Sequence, residues 1–230
     1  MPDSTNPGLL FKLSLGVYSC LMWTLSPVLR LKAQRRGKKE PGYLLNIGER
    51  LAHYEGLHSE PLEHRAGRVI WVHAVSLGET KAAQILVKAL LLQFKEQAAG
   101  SLTPHLLLTH STATGRAAGQ ELIQTLQLAP SQVTQVWYPW DTPGAVRRFL
   151  DKFNPTLCLL METEVWPNMV MACRQRDIKI LLLSARLSQK SFEGAQALGH
   201  FARVVYRNLS AVIAQNEADT HRLLQLGAPV

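Results

Sequence analysis

The feature that most constrains this chain is a rhythm repeated six times: a short apolar run, a polar signature, then an amphipathic stretch. The runs are Val69 to Val72, Leu106 to Leu108, Val133 to Trp137, Leu157 to Met161, Ile180 to Leu183 and Ala211 to Ala214. Runs so short and so uniformly apolar predict strands covered on both faces, the condition of a parallel sheet wrapped by helices. The stretches between them carry helical spacing, as at Ala82, Ile85, Leu86, Ala89 and Leu90, at Val146, Phe149, Leu150 and Phe153, and at Trp166, Met169, Val170 and Cys173. Strands alternating with helices of this length predict right-handed βαβ units, an α/β Rossmann-like fold. In such a sheet all strand carboxyl ends share one edge, where ligands bind, so the polar signatures are expected to converge there.

Charge sorts the partners. The net charge is +8, but six of the ten positions from Arg30 to Lys39 are Arg or Lys and the remainder of the chain stands at only +2. One basic block beside an apolar segment points to a membrane surface, and its confinement argues against nucleic acid. The apolar segment, Leu13 to Leu29, is free of charge. Its length tips the reading toward a membrane span, with interfacial insertion the alternative, because Ser14, Gly16, Ser19, Thr24, Ser26 and Pro27 dilute its hydrophobicity. The basic block places the downstream domain on the cytoplasmic side, and positive charge trailing the apolar stretch argues against a cleaved signal peptide. The expected organisation is an anchor and basic block over 1–40, a connector over 41–68 and a Rossmann-like domain over 69–230. Within the connector, Tyr43 to Tyr54 reads as a short helix and 55–67 as a loop. Three cysteines without C-x-x-C spacing fit a reduced compartment, and the histidines show no ligand-pair spacing, so no metal is expected.

The candidate chemistry sits at the strand ends. Glu79 follows Ser76 and Gly78 where a helix should begin; a carboxylate there is favoured by the helix dipole and suits a base, although acids in a first turn are common simply because they stabilise it. Glu162 and Glu164 flank Thr163 directly after a strand and point to one side if strand geometry persists; one of them has Arg186 within reach as an ion-pair partner, and a structural pair weighs as much as a catalytic role. Thr112, Thr114 and Gly115 form a hydroxyl-rich loop able to present backbone N–H groups to an anion, with plain N-capping the simpler account. Trp140 to Gly144 and Trp166-Pro167 read as helix starts. A nicotinamide-dependent dehydrogenase is disfavoured, because G-x-G-x-x-G is absent from the first turn.

Taken together, these signatures resemble the 3-deoxy-D-manno-octulosonic acid (Kdo) transferases. The segments that carry the likeness are His73-Ala-Val-Ser-Leu-Gly-Glu-Thr80, Thr112-Ala-Thr-Gly115, Tyr138-Pro-Trp-Asp141, Arg148-Phe-Leu150, Met161-Glu-Thr-Glu-Val-Trp-Pro-Asn168, Ala185-Arg-Leu-Ser188 and Ala214-Gln-Asn-Glu217. The resemblance implies the N-terminal, acceptor-binding half of a GT-B glycosyltransferase on the cytoplasmic face of the inner membrane. Its implied substrates are CMP-Kdo as donor and the lipid A precursor as acceptor, without a cofactor. It implies Glu79 as general base and Glu162 as transition-state support, with acceptor contacts from Ser76, Gly78, Thr112, Thr114, Gly115, Glu164 and Arg186. The chain departs from the family pattern at Ser184, where Asn is usual, and at Ala113, where Pro is usual. It also reads as stopping before a CMP-binding domain, which leaves a non-catalytic, membrane-associated acceptor-binding module as the alternative.

Overall fold

The computed structural model describes residues 8–54, 68–97 and 104–230; the expected loop at 55–67 lies outside them. After helix α1 (Leu9–Gly37) and two 3-10 turns (Pro41–Leu44 and Ile47–Leu51), the chain alternates β1 (Val69–His73), α2 (Leu77–Gln97), β2 (His105–His110), α3 (Ala113–Thr125), β3 (Val133–Trp137), α4 (Pro143–Phe153), β4 (Leu157–Met161), α5 (Pro167–Gln175) and β5 (Lys179–Ala185). Two helices, α6 (Gln189–Ala197) and α7 (His200–Arg207), precede β6 (Ala211–Ala214) and α8 (Glu217–Gln225). The expected Tyr43–Tyr54 helix is replaced by the two 3-10 turns, because Asn46 and Ala52 take left-handed backbone conformations that no α-helix passes through.

All strand pairs are parallel and the sheet order is β3-β2-β1-β4-β5-β6. This doubly wound order reverses direction between β1 and β4. Successive strand residues serve opposite cores: Trp71, Leu107, Cys158, Leu160 and Leu182 pack with α4, α5 and α7 on one face, while Ile70, Val72, Leu106, Leu108 and Leu159 pack with α2 and α3 on the other. Burial on both faces is why the runs are continuously apolar rather than alternating. Three strands extend into their polar signatures. Thr109 and His73 remain fully buried because Thr109 Oγ1 accepts from the Trp71 indole at 2.7 Å and lies 2.9 Å from His73 Nδ1.

Local chemistry starts the helices. Thr112, Thr142, Ser188 and Asn216 each accept a hydrogen bond from a first-turn N–H of α3, α4, α6 and α8, about 1 kcal/mol apiece. Pro143 and Pro167 occupy first turns, and Gly227, at φ +81°, closes the turn after α8.

The register of β5 against β6 slips between Leu182 and Ala185, with Ser184 left-handed at φ 51°. This bulge turns the end of β5 toward the rim of the sheet. A left-handed L-residue costs about 1–2 kcal/mol, less for Asn, whose side chain tolerates that conformation. Ser184→Asn is therefore expected to stabilise the chain by about 0.5–1 kcal/mol, read as a higher midpoint in thermal unfolding; an unchanged or lower midpoint would show that the hydrogen bond from Gln215 Nε2 to Ser184 Oγ matters more.

Helix α1 lies along the domain on one stripe. Phe11, Leu15, Tyr18, Met22, Leu29, Ala33 and Gly37 turn inward, and Phe11 stacks on Phe201 of α7 at 5.5 Å. Mid-helix polar groups reach into the body: Tyr18 donates to Asp141 Oδ2 and Ser19 to Asn168 Oδ1, both at 2.9 Å. The helix is long and apolar enough to cross a membrane, and one flank of it meets the protein body at Phe11, Tyr18 and Ser19.

Candidate active site

The switch point between β1 and β4 collects the acidic residues. Glu79 lies in the first turn of α2, which follows β1, and Glu162 to Glu164 follow β4. His73 at the end of β1 registers beside Leu160 of β4, so the two loops leave neighbouring positions on one edge.

Glu79 is held from below. Its Oε2 accepts from the Val75 N–H at 2.8 Å and its Oε1 from the Ser76 hydroxyl at 3.0 Å, while Ser76 Oγ accepts from the Glu79 N–H at 3.4 Å. This is a variant of the S-x-x-E capping box in which the carboxylate takes the Val75 N–H in place of the Ser76 N–H, and it favours a helix start here. Burial pushes the Glu79 carboxyl above its usual value; the bonds from Val75 and Ser76 oppose this, and the nearby charges of Glu164 and Glu162 add to it. The helix-dipole argument alone predicts a carboxylate that ionises more easily, and burial reverses that sign.

Glu162 is half-buried, with a left-handed backbone at φ 58°. Strand geometry therefore ends at Met161, and the expected same-side projection of Glu162 and Glu164 gives way to a tight turn. Backbone strain at a non-glycine residue recurs at functional sites. The link between Glu162 and Arg186 is from backbone to backbone, Arg186 N–H to Glu162 O at 3.3 Å. Among the described residues Arg186 forms no ion pair and its side chain is exposed, because the β5 bulge carries it outward.

Glu164 finds other partners. Its Oε2 accepts from the Trp166 indole at 2.8 Å and lies 3.8 Å from Nε2 of His73. Burial alone raises this carboxyl, but the His73 imidazole and the Trp166 indole outweigh it and bring it below its usual value. The environments of these two carboxyls push them in opposite directions, Glu79 up and Glu164 down.

The Thr112 loop closes one side. Thr112 caps α3 by accepting from Gly115 N–H and also donates to Val75 O at 2.8 Å. A Cβ on Gly115 would stand 2.6 Å from Val75 O, so glycine here permits α3 to press against the loop that carries Ser76. Thr114 and Gly78 are exposed. Arg50, whose guanidinium stacks over Trp137 at 4.0 Å, donates to Ser111 O and braces this loop from the connector.

Asp141, which the sequence presents only as part of a helix start, is the main residue that sequence reasoning missed. It is fully buried and accepts from the N–H groups of Asn168 and Met169, at 2.9 Å each, and from Tyr18. It thus caps α5 from a different loop, since the Trp166 side chain makes no cap of its own. Among the described residues no three His, Cys, Asp or Glu side chains gather as a metal site.

A family profile described as 3-deoxy-D-manno-octulosonic-acid transferase (kdotransferase) matches residues 46–230. A 3-deoxy-D-manno-octulosonic acid transferase of Bordetella pertussis is 41% identical over 93% of this chain and 47% of its own length. The transferase of the same name from Haemophilus influenzae is 28% identical over 92% of this chain and 45% of its own length. The chain spans about half the length of these relatives. A solved UDP-GlcNAc 2-epimerase from Neisseria meningitidis, bound to UDP-GlcNAc, aligns over 70% of this chain and 44% of that one, at TM-score 0.43 and 14% identity, too loosely to bear on function. With the profile running from the connector through the carboxylate crevice to the last residue, this chain belongs to the 3-deoxy-D-manno-octulosonic acid transferase family.

Proposed function

We propose that this chain is the acceptor-side half of a GT-B glycosyltransferase that moves Kdo from CMP-Kdo to the lipid A precursor at the cytoplasmic face of the inner membrane. The observation that carries this reading is the meeting of Glu79, Glu162 and Glu164 at the switch point, where the doubly wound fold binds ligands. Glu79 accepts the proton of the acceptor hydroxyl as its oxygen bonds to the anomeric carbon of Kdo, while the bond from that carbon to the CMP phosphate breaks and CMP leaves. A carboxyl raised by burial yet tied in place by Val75 and Ser76 is a basic and oriented acceptor for that proton. Glu162, across the crevice, supports the positive charge that develops at the anomeric centre. Ser76, Gly78, Thr112, Thr114, Gly115, Glu164 and Arg186 line or brace the acceptor side.

Association with the membrane is through α1 lying in the interface. One flank is bound to the domain, while Leu9, Leu10, Leu13, Val17, Trp23 and Val28 are exposed and the basic block comes after them. The test joins this chain to the C-terminal half of the Bordetella relative and measures transfer from CMP-Kdo to a tetraacylated disaccharide acceptor in vesicles. Transfer is the expected result; acceptor binding with no transfer would favour the non-catalytic module instead.

A further inference from the structure

A groove of about 720 Å³ runs between α1, the Val165-Trp166-Pro167 segment and the junction of α6 with α7. Its walls include Val17, Tyr18 and Leu21 from α1, Trp166 from the rim of the carboxylate crevice, and Leu198 and Phe201 from the junction. The volume lies within the range of small-ligand sites, roughly 300–1,000 Å³.

The polar atoms at its edges are already engaged. The Tyr18 hydroxyl is given to Asp141, the Ser14 hydroxyl to Leu10 O, and the Trp166 indole N–H to Glu164. A sugar or a peptide backbone placed here would lose its hydrogen bonds to water without replacement, a penalty that hydrocarbon does not incur. The chemistry of the walls therefore favours a hydrocarbon occupant.

The groove also opens in the right direction for one. Val17 and Leu21, 72% and 53% exposed, belong both to its wall and to the outward face of α1, which continues through Leu13, Trp23 and Val28. That strip ends in the basic run from Arg30 to Lys39, complementary to anionic lipid head groups. At the other end, one side chain separates the groove from the reacting edge, since Trp166 forms its wall and bonds Glu164.

We infer that this groove seats one acyl chain of the lipid acceptor, leading it from the bilayer face of α1 past Trp166 so that the sugar head group arrives at the carboxylate crevice. This rests on the reading of the acceptor as a lipid and adds a site for its hydrocarbon part. Trp166 then reports two things at once: the chain on its ring face and Glu164 on its N–H.

The experiment reads binding without turnover. Acceptor disaccharide carrying brominated acyl chains is titrated into this chain in a Trp23→Phe background, with Trp166→Phe as the reference for the Trp166 signal. The expected result is quenching of Trp166 fluorescence by the brominated acceptor and none by the de-acylated disaccharide. Leu198 is 61% exposed, so Leu198→Glu buries no charge in the free chain, and it is expected to weaken binding of the acylated form at least tenfold while leaving the de-acylated form unaffected. Bound brominated acceptor that does not quench Trp166 would overturn the inference. So would equal weakening of both acceptors by Leu198→Glu, or equal quenching by brominated phosphatidylglycerol vesicles without acceptor, which would make the groove a seat for bulk lipid. Quenching as expected, with no Kdo transfer by the chain joined to its donor half, would overturn the proposed reaction and leave the groove standing.

Discussion

In the chain joined to its donor half, the proposed role of Glu79 as general base makes Glu79→Gln expected to lower kcat for Kdo transfer by about 10²–10⁴-fold, with little change in KM for either substrate. Gln keeps the capping-box geometry at this position, so circular dichroism and the unfolding midpoint should stay near those of the parent, which separates lost chemistry from lost fold. Retained turnover in this variant would remove Glu79 from the mechanism. The pH profile gives a second reading. Because burial raises the Glu79 carboxyl, the acid limb of kcat/KM should fall above the ordinary glutamate value of 4.5. Ser76 donates to the ionised form, so Ser76→Ala raises that carboxyl further and should move the acid limb to still higher pH, at a cost of about 1 kcal/mol from the lost cap. A limb that moves down, or not at all, would contradict the role given to the Ser76 hydroxyl.

The second large effect is expected at Asp141. Asp141→Ala leaves the Asn168 and Met169 N–H groups and the Tyr18 hydroxyl without an acceptor. Each orphaned buried donor costs about 1–3 kcal/mol. Part of the sum is offset because the removed carboxylate was itself costly to bury, so the net loss should be about 2–4 kcal/mol in denaturant unfolding. Tyr18→Phe isolates one strand of this network. Burial pushes Asp141 from 3.8 up to about 6, against the bonds from Asn168, Tyr18 and Met169. A carboxyl raised on folding contributes stability fully below pH 3.8 and loses it as pH rises through about 6. The Tyr18 hydroxyl relieves the ionised form, so Tyr18→Phe should destabilise by about 1.5–3 kcal/mol at pH 8 and less at pH 5, where a neutral hydrogen bond is lost instead. Equal losses at both pH values would mean that Asp141 does not titrate between them in the folded chain. Since Asp141 ties α1 to the start of α5, next to Trp166 and Glu164, both variants should also loosen the seat of α1 on the domain.

Much of this was legible in the residues. Six apolar runs too short for helices and too uniform for one-sided strands require a sheet covered on both faces, and βαβ handedness then leaves few topologies. Glu79, Glu162 and Glu164 stood out because acids at strand ends have no place in a core, and Pro143, Pro167, Thr112 and Gly227 marked helix ends through backbone chemistry that acts within a few residues. The break-up of the connector helix was half legible: Asn46 is a residue type that tolerates the left-handed conformation it takes, whereas nothing local marks Ala52 for the same conformation.

What the sequence determined by itself is therefore local and periodic: which residues form strands, which faces of α4 and α5 are buried, and which polar groups are left at the edge. In α2 the expected stripe of Ala82, Ile85 and Ala89 is exposed and Ala83 and Val87 face the core instead, because the helix packs on α3 as well as on the sheet. Tertiary structure alone decided the sign of the Glu79 shift, the diversion of Glu164 to His73 and Trp166, the capping of α5 by Asp141, and the choice of α1 to lie along the domain rather than leave it. Those outcomes depend on desolvation and on hydrogen bonds between groups as far apart in sequence as Tyr18 and Asp141. Such energies exist only once the winding of the sheet has brought the partners together.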